Sequence, residues 1–235
     1  MSLFRRTADH RRVRALRTVG PGPLRDYLEV PLPDPATPVD DLALLAVDIE
    51  TTGLDPRTDR LLSIGWIPVD GRAIILAGGR RVVVRDGGEV GRSATVHGLT
   101  DDVLASGMPL EEAVQELLPN LAGRVLLAHF AGIETGFLSR ACQRIWGGEL
   151  PCAVVDTMVL ERRALDERPH RHAWGGAAEP GALRLAAARE RRGLPVYRAH
   201  EALTDALACA ELYLAQCAEL AARRPGTTVT LRQVT

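Results

Sequence analysis

The stretch Leu42-Ala43-Leu44-Leu45-Ala46-Val47-Asp48-Ile49-Glu50-Thr51-Thr52-Gly53 decides the reading of this chain. Leu42–Ile49 is a nearly unbroken apolar run, long enough for a strand buried on both faces. Asp48 and Glu50 stand two positions apart, and side chains at that spacing on a strand project to the same face. Neighbouring carboxylates repel and raise one another's pKa, so such a pair near a buried strand calls for a cation. Oxygen-only ligands favour Mg²⁺ or Mn²⁺ over zinc. An Asp-x-Glu alone is common on surface strands. The apolar run before it and the Thr-Thr-Gly after it make the signal specific.

Outward from this segment the punctuation is that of an α/β domain. Leu61–Val69 and Arg72–Leu76 read as strands joined at Asp70-Gly71, a strong hairpin signal. Arg80–Arg85 reads as a further short strand, Pro109–Leu118 as a helix and Arg124–His129 as a buried strand. A helix over Ala131–Trp146 and a short strand over Ala153–Val155 follow. Asp156–Ala164, Ala182–Arg192 and His200–Leu220 read as helices, the last with apolar Leu203, Leu207, Ala210 and Leu214 on one face. Asp166–Gly181 is polar, bears Gly and Pro, and is expected to be a mobile loop. Three adjacent strands followed by alternating helices and strands predict a mixed β-sheet flanked by helices on both faces.

Residues 1–40 differ from this domain, which is expected over 41–222 with a short tail over 223–235. The first twenty residues hold six Arg against one acid, Asp9, and are compatible with a helix. Six prolines between Pro21 and Pro38 then predict a stiff, non-helical linker. The arm reads as a surface element packed on the domain or on a partner, or as a contact to nucleic-acid phosphates.

Composition narrows the chemistry. The chain has 235 residues, 46% hydrophobic and 25% charged, with net charge −1, which excludes a disordered chain and a histone-like polycation. All 29 cations are Arg, so no step can use a lysine nucleophile, Schiff base or P-loop lysine. Cys142, Cys152, Cys209 and Cys217 show no CxxC spacing and read as buried free thiols. No apolar run is long enough to span a bilayer, and the Arg-rich start lacks a secretory apolar region. A cytoplasmic protein with no membrane partner is therefore expected.

Two further constellations carry chemistry. In His129-Phe130-Ala131-Gly132-Ile133-Glu134-Thr135-Gly136-Phe137-Leu138, Glu134 falls in the first turns of a helix and can point back over the strand ends. On its own it could equally be an acid that stabilises the helix dipole. In His200-Glu201-Ala202-Leu203-Thr204-Asp205, positions five apart differ by about 140° on an ideal helix. His200 and Asp205 can face one point only if His200 lies in the preceding loop or first turn. A histidine beside a carboxylate-metal site suits general-base work.

Together the three segments resemble the DEDDh 3′–5′ exonucleases, the superfamily of the DNA polymerase III epsilon proofreading subunit and ribonuclease T. The resemblance runs from Leu42 to about Ala221. Asp48 and Glu50 match the first exonuclease motif, His129–Leu138 the second, and His200 with Asp205 the third. Val96-His97-Gly98-Leu99-Thr100 is similar to the family's His-Gly-Ile loop, and Asp156-Thr157 to its Asp-Thr. The resemblance implies a ribonuclease H-like fold and metal-dependent hydrolysis from the 3′ end of single-stranded DNA or short RNA. It implies two divalent cations, Mg²⁺ or Mn²⁺, about 4 Å apart. Asp48, Glu50, Glu134 and Asp205 would hold them, with His200 as general base. Thr51, Thr52 and Leu54 would hold the terminal nucleotide, His97 would line the cleft and Phe130 could stack on a base. For Phe137, core packing is the better reading.

One departure stands out: the family's second motif ordinarily carries Asp where this chain has Glu134. The carboxylate then reaches farther by one methylene, on the order of 1.5 Å. Either the helix is displaced to fit it, or activity is reduced or shifted toward Mn²⁺. Two other readings remain open: a catalytically weak nucleic-acid-binding or polymerase-associated module, and an unrelated α/β binding domain. A polymerase or a second copy of the chain are the protein partners left open.

Overall fold

A computed structural model of the chain describes residues 3–85, 101–167, 181–198 and 200–235. The central strand β1 (Ala43–Thr51) pairs antiparallel with β2 (Leu61–Asp70) and parallel with β5 (Val125–Ala128), which pairs parallel with β6 (Val154–Asp156). The outer edge of β2 is shared by two short antiparallel strands, β3 (Ala73–Ile74) and β4 (Arg80–Val83). The described strands thus form one mixed sheet of six, in the order β3-β2-β1-β5-β6 with β4 beside β2.

The period of two along β1 explains both its apolar run and the placement of its acids. Leu45, Val47 and Ile49 pack into a core with α4 (Leu110–Leu121) and α5 (Gly132–Trp146). Leu44 and Ala46 pack on the other face, against Ala206, Ala210 and Tyr213 of the long helix α8 (Ala202–Arg223). Asp48 and Glu50 continue this second row, so the strand alternation points both toward α8. A register shift between Glu50 and Thr51 marks a bulge where the strand enters the site.

Gly65, opposite Asp48 in the β1–β2 register, fixes how closely α8 approaches. A Cβ at Gly65 would overlap the backbone of Ala202 and Leu203, so a larger residue would push the start of α8 off the sheet.

Several sequence expectations change here. The strand expected over Arg72–Leu76 is only Ala73–Ile74, followed by a 3-10 turn at Leu76–Gly78. Its cause is Pro68 on β2: its carbonyl accepts from Ile75 N–H, but it has no N–H to return, so pairing lapses until β4. The non-helical linker is also corrected. After α1 (Leu3–Leu16), Pro23–Glu29 forms helix α2 with proline in its first turn, where the missing N–H costs nothing. Leu24, Tyr27 and Leu28 of α2 are buried in the same core as Leu45, and Tyr27 Oη donates to Pro151 O at 2.8 Å. At the other end, Leu231 and Val234 of α9 (Leu231–Val234) enter the α8-side core, and Pro38 bridges Thr230. The remaining described helices are α3 (Asp101–Ala105), α6 (Thr157–Asp166) and α7 (Leu185–Glu190). α7 begins three residues later than expected, after Arg184 in an extended conformation. Three of the four cysteines are buried, Cys217 is half-buried, and all four are free.

Candidate active site

Four carboxylates and one imidazole converge at the end of β1. Asp48 and Glu50 come from the strand, Glu134 from the first turn of α5, and Asp205 from the first turn of α8. The helix expected from His200 begins at Ala202, because Glu201 is extended and its side chain caps Thr204 N–H at 2.8 Å. His200 therefore lies in the preceding loop, with φ 68°, and its backbone N–H donates to Asp205 Oδ2 at 2.7 Å. That loop position is what lets residues five apart face one point. Ligand atoms of Glu50, His200 and Asp205 all lie within 4.8 Å of one another.

The electrostatics are those of a site short of positive charge. Burial, then the negative charges of Glu134, Asp205, Glu50 and Glu201, hold the Asp48 carboxyl well above the ordinary carboxylate range. Burial and Asp205 push Glu50 up to about 8, against a lowering influence from Arg81, which is itself bonded to Glu201 at 3.1 Å. Burial pushes Glu134 up to about 8, opposed by a hydrogen bond from its own backbone N–H. Asp205 is also raised by burial, moderated by the His200 N–H. Glu134 is 3% exposed, and its Oε2 has no hydrogen-bond partner among the described residues. A clustered set of hard oxygen donors, one of them buried and unsatisfied, fits a divalent cation. The donors Asp48, Glu50, Glu134 and Asp205 are those that would hold it, with His200 at the solvent side.

The surrounding loops are built to hold this geometry. Asp156, at the end of β6, accepts Phe130 N–H and Ala131 N–H at 3.0 Å each, and Met158 N–H at 2.9 Å. It thereby ties the turn before α5 to the start of α6 and supports Phe130 at φ 73°. His129 reaches Thr157 Oγ1 at 2.9 Å and Leu183 O at 2.8 Å. Arg189, its side chain 5% exposed, donates to Ala208 O, Pro195 O and Glu211, and lies 4.7 Å from the Tyr197 ring. These bonds fasten the segment before His200 to α8.

Of the expected substrate residues that are described, Phe130 lines the cleft, and Thr51, Thr52 and Leu54 lie at the end of β1 and in the loop after it. Thr51 Oγ1 donates to Gly53 O at 2.6 Å, and Thr52 Oγ1 accepts Arg60 N–H at 2.9 Å, which closes the loop after β1. Leu54 at its tip is 74% exposed, and Phe130 is 49% exposed beside the cleft. Phe137 is buried in the core. His97 and its loop, His170, His172 and most of Asp166–Gly181 lie outside the described residues. A cleft of about 850 Å³ runs from Asp48, Glu50 and Asp205 past Phe130 and Met158 to Leu183–Ala186 and Leu194–Tyr197. Sequence reasoning missed this far wall. Asp156-Thr157 carried a signal as a matched landmark, but its service to both helix starts needs the fold.

An exonuclease family model, that of ribonuclease T, matches residues 45–213, which hold all five of these residues. The chain belongs to this exonuclease family. It is 30% identical over 172 residues to the DNA polymerase III epsilon subunit of Treponema pallidum, covering 73% of this chain and 75% of that protein. It is 27% identical over 175 residues to the PolC-type DNA polymerase III of Thermotoga maritima, spanning 74% of this chain but 12% of the polymerase. Among solved structures, Escherichia coli Exonuclease I in complex with a dT13 oligonucleotide superposes with a TM-score of 0.62 at 16% identity. That match covers 79% of this chain and 42% of the other, and shows the same fold. Among the described residues, no helix of this exonuclease-family chain is long and apolar enough to cross a membrane.

Proposed function

We propose that this chain is a 3′–5′ exonuclease acting on single-stranded DNA or short RNA, with two Mg²⁺ or Mn²⁺ ions at the end of β1. The observation that carries the proposal is that the charges of Glu134, Asp205 and Glu50 all act on buried Asp48, while ligand atoms of Glu50, His200 and Asp205 lie within 4.8 Å of one another and Glu134 Oε2 is buried without a hydrogen-bond partner among the described residues. The ions would supply stabilisation of charge on the phosphate and on the leaving 3′ oxygen. Asp48 and Glu50, on the central strand, give the least mobile donors. Asp205 and Glu134 approach from helices on opposite faces of the sheet. His200, exposed and held by its backbone bond to Asp205, takes the proton of the attacking water. The Thr51–Leu54 loop holds the terminal nucleotide and the exposed Phe130 stacks on a base.

The weak-module alternative drew on Glu134 in place of the family's Asp. Among the charges that raise Asp48, that of Glu134 acts most strongly, which supports a role for the longer side chain beside the strand carboxylates. The Exonuclease I complex with dT13 and the epsilon relative favour DNA as the substrate, and the epsilon relative favours a DNA polymerase as protein partner.

The test is degradation of 5′-labelled single-stranded DNA and RNA with Mg²⁺, Mn²⁺ or EDTA, beside Asp48→Ala. A ladder shortening from the 3′ end, lost with EDTA and in the variant, is the expected result. Binding without a ladder in either metal would overturn the proposal in favour of a binding module.

A further inference from the structure

A row of three residues crosses the sheet beside the acidic cluster. Asp48 on β1 is the register partner of Gly65 on β2, and Gly65 is the partner of Arg81 on β4. Side chains paired across strands share a face, so Arg81 stands on the α8 side like Asp48, about 9–10 Å away at the backbone. Gly65 between them has no side chain. The backbone of Ala202 and Leu203 occupies the space that a Cβ there would take. The start of α8 thus lies between an acid of the cluster and a guanidinium.

Arg81 grips that start through Glu201. Its Nε lies 3.1 Å from Glu201 Oε1 and 3.4 Å from Oγ of the buried Ser63. The other carboxylate oxygen, Oε2, accepts Thr204 N–H at 2.8 Å and Thr204 Oγ1 at 2.5 Å. The Glu201 carbonyl accepts Asp205 N–H at 2.9 Å, and the N–H of His200 donates to Asp205 Oδ2. Helix caps are ordinarily Ser, Thr, Asp or Asn. What the longer glutamate adds is reach: one oxygen caps α8 while the other meets β4. The Glu201 carboxylate also bears on the cluster, since its charge raises Asp48, Glu50 and Asp205. Arg81 offsets that charge and acts on Glu50 in the opposite sense.

We infer that Arg81 is a positioning residue for the exonuclease reaction: through Glu201 it fixes the first turn of α8, and with it Asp205 and His200, relative to Asp48 and Glu50 on the strand. The inference rests on the exonuclease reading of the cleft. Arg81 is not among the described residues that line that cleft, so its role is carried by Glu201 and not by contact with the substrate. Both side chains of the pair are about one-third exposed, and an ion pair so exposed contributes little to stability. Its effect lies in where it holds α8.

The test compares wild type with Arg81→Met, Arg81→Lys, Glu201→Ser and the double variant Arg81→Met/Glu201→Ser. Two readouts are taken: steady-state degradation of 5′-labelled single-stranded DNA with Mn²⁺, and Mn²⁺ affinity by calorimetry without substrate. Arg81→Met lowers kcat and weakens Mn²⁺ binding, each by about tenfold or more, while KM stays within about twofold. Its melting temperature stays within about 4 °C of wild type. Glu201→Ser does the same, although serine caps a helix well. Arg81→Lys keeps a cation for a contact made through one nitrogen and restores kcat to within about threefold. The double variant falls no further than either single one, because the two residues act as a unit. Losses that multiply in the double variant would overturn the inference, and so would unchanged kcat in Arg81→Met. A higher KM at unchanged kcat would assign Arg81 to the substrate instead. Tighter Mn²⁺ binding in Arg81→Met would reduce its role to charge alone, against the inference. Absence of a ladder with wild type would remove the exonuclease reading, and the Mn²⁺ affinities would still decide whether Arg81 positions the acids.

Discussion

Two buried glutamates in this molecule meet opposite fates. Glu161, fully buried on α6, is bonded to Arg191 at 2.9 Å and to Arg192 at 2.5 Å, with Gln216 at 3.2 Å. Arg192 continues to Glu219 at 2.9 Å, and Gln216 to Thr157 O at 3.0 Å, so the network ties α6 to α8 and the end of α7. Glu134 is almost as deeply buried, yet meets Asp48 as a neighbouring charge instead of a guanidinium. In the first, the carboxylate finds its counter-charge within the chain, although Arg192 Nε and Gln216 Oε1 of the same network have no hydrogen-bond partner among the described residues. In the second, no guanidinium meets the carboxylate among the described residues, and the proposed cation would supply the counter-charge. A buried carboxylate is thus a structural brace where the chain supplies its counter-charge, and a binding site where it does not.

The contrast is open to direct attack. The largest expected effect is on activity: Asp48→Ala lowers the rate of 3′-end degradation at least about 10³-fold, the several kcal/mol a metal site contributes. Asp48→Asn abolishes activity as well, but raises the metal-free melting temperature by about 2–4 °C, because it removes repulsion from the cluster. At the brace the sign reverses. Glu161→Gln leaves Arg191 and Arg192 without their shared partner and costs about 3–5 kcal/mol in urea unfolding. Equal signs at the two sites would erase the distinction.

Glu134→Asp sharpens it further. If α5 is placed for the longer side chain, retracting the carboxylate by about 1.5 Å lowers activity by roughly 10–10²-fold, even though Asp is the family's usual residue. An increase would instead mean that Glu134 impairs the site.

The smallest expected effect is the pH dependence of stability. Glu50 and Glu134 are both raised to about 8 in the folded chain. Between the ordinary glutamate value, about 4.3, and that point, the folded state binds more protons than the unfolded. Stability of the metal-free protein therefore falls as pH rises through this window. Mg²⁺ or Mn²⁺ counters the fall, so the thermal shift on adding either is larger at pH 8 than at pH 5. A shift independent of pH would place the cation elsewhere.

Much of this was legible in the sequence where residue type alone determines the outcome. The run from Leu42 to Ile49 announced a doubly covered strand, and its period of two aimed Asp48 and Glu50 at one face. The five-residue spacing of His200 and Asp205 required the histidine to lie in the preceding loop or the first turn, and the Glu201 cap puts it in the loop. What stayed hidden depends on tertiary fit. Prolines around residues 21–38 suggest an extended linker, yet Leu24, Tyr27 and Leu28 at helical spacing bury one face, and Pro23 only starts the helix. Pro68 interrupts an edge whose partner cannot be known from local pattern. Gly65 looks unremarkable in a strand until α8 is seen resting on it.

Mn²⁺ titration by calorimetry at pH 8, on wild type and on Glu134→Gln, tests the central claim most directly. The account predicts two ions per chain for wild type, with at least one site weakened about tenfold or more in the variant. No binding to wild type, or identical binding to both, would contradict it.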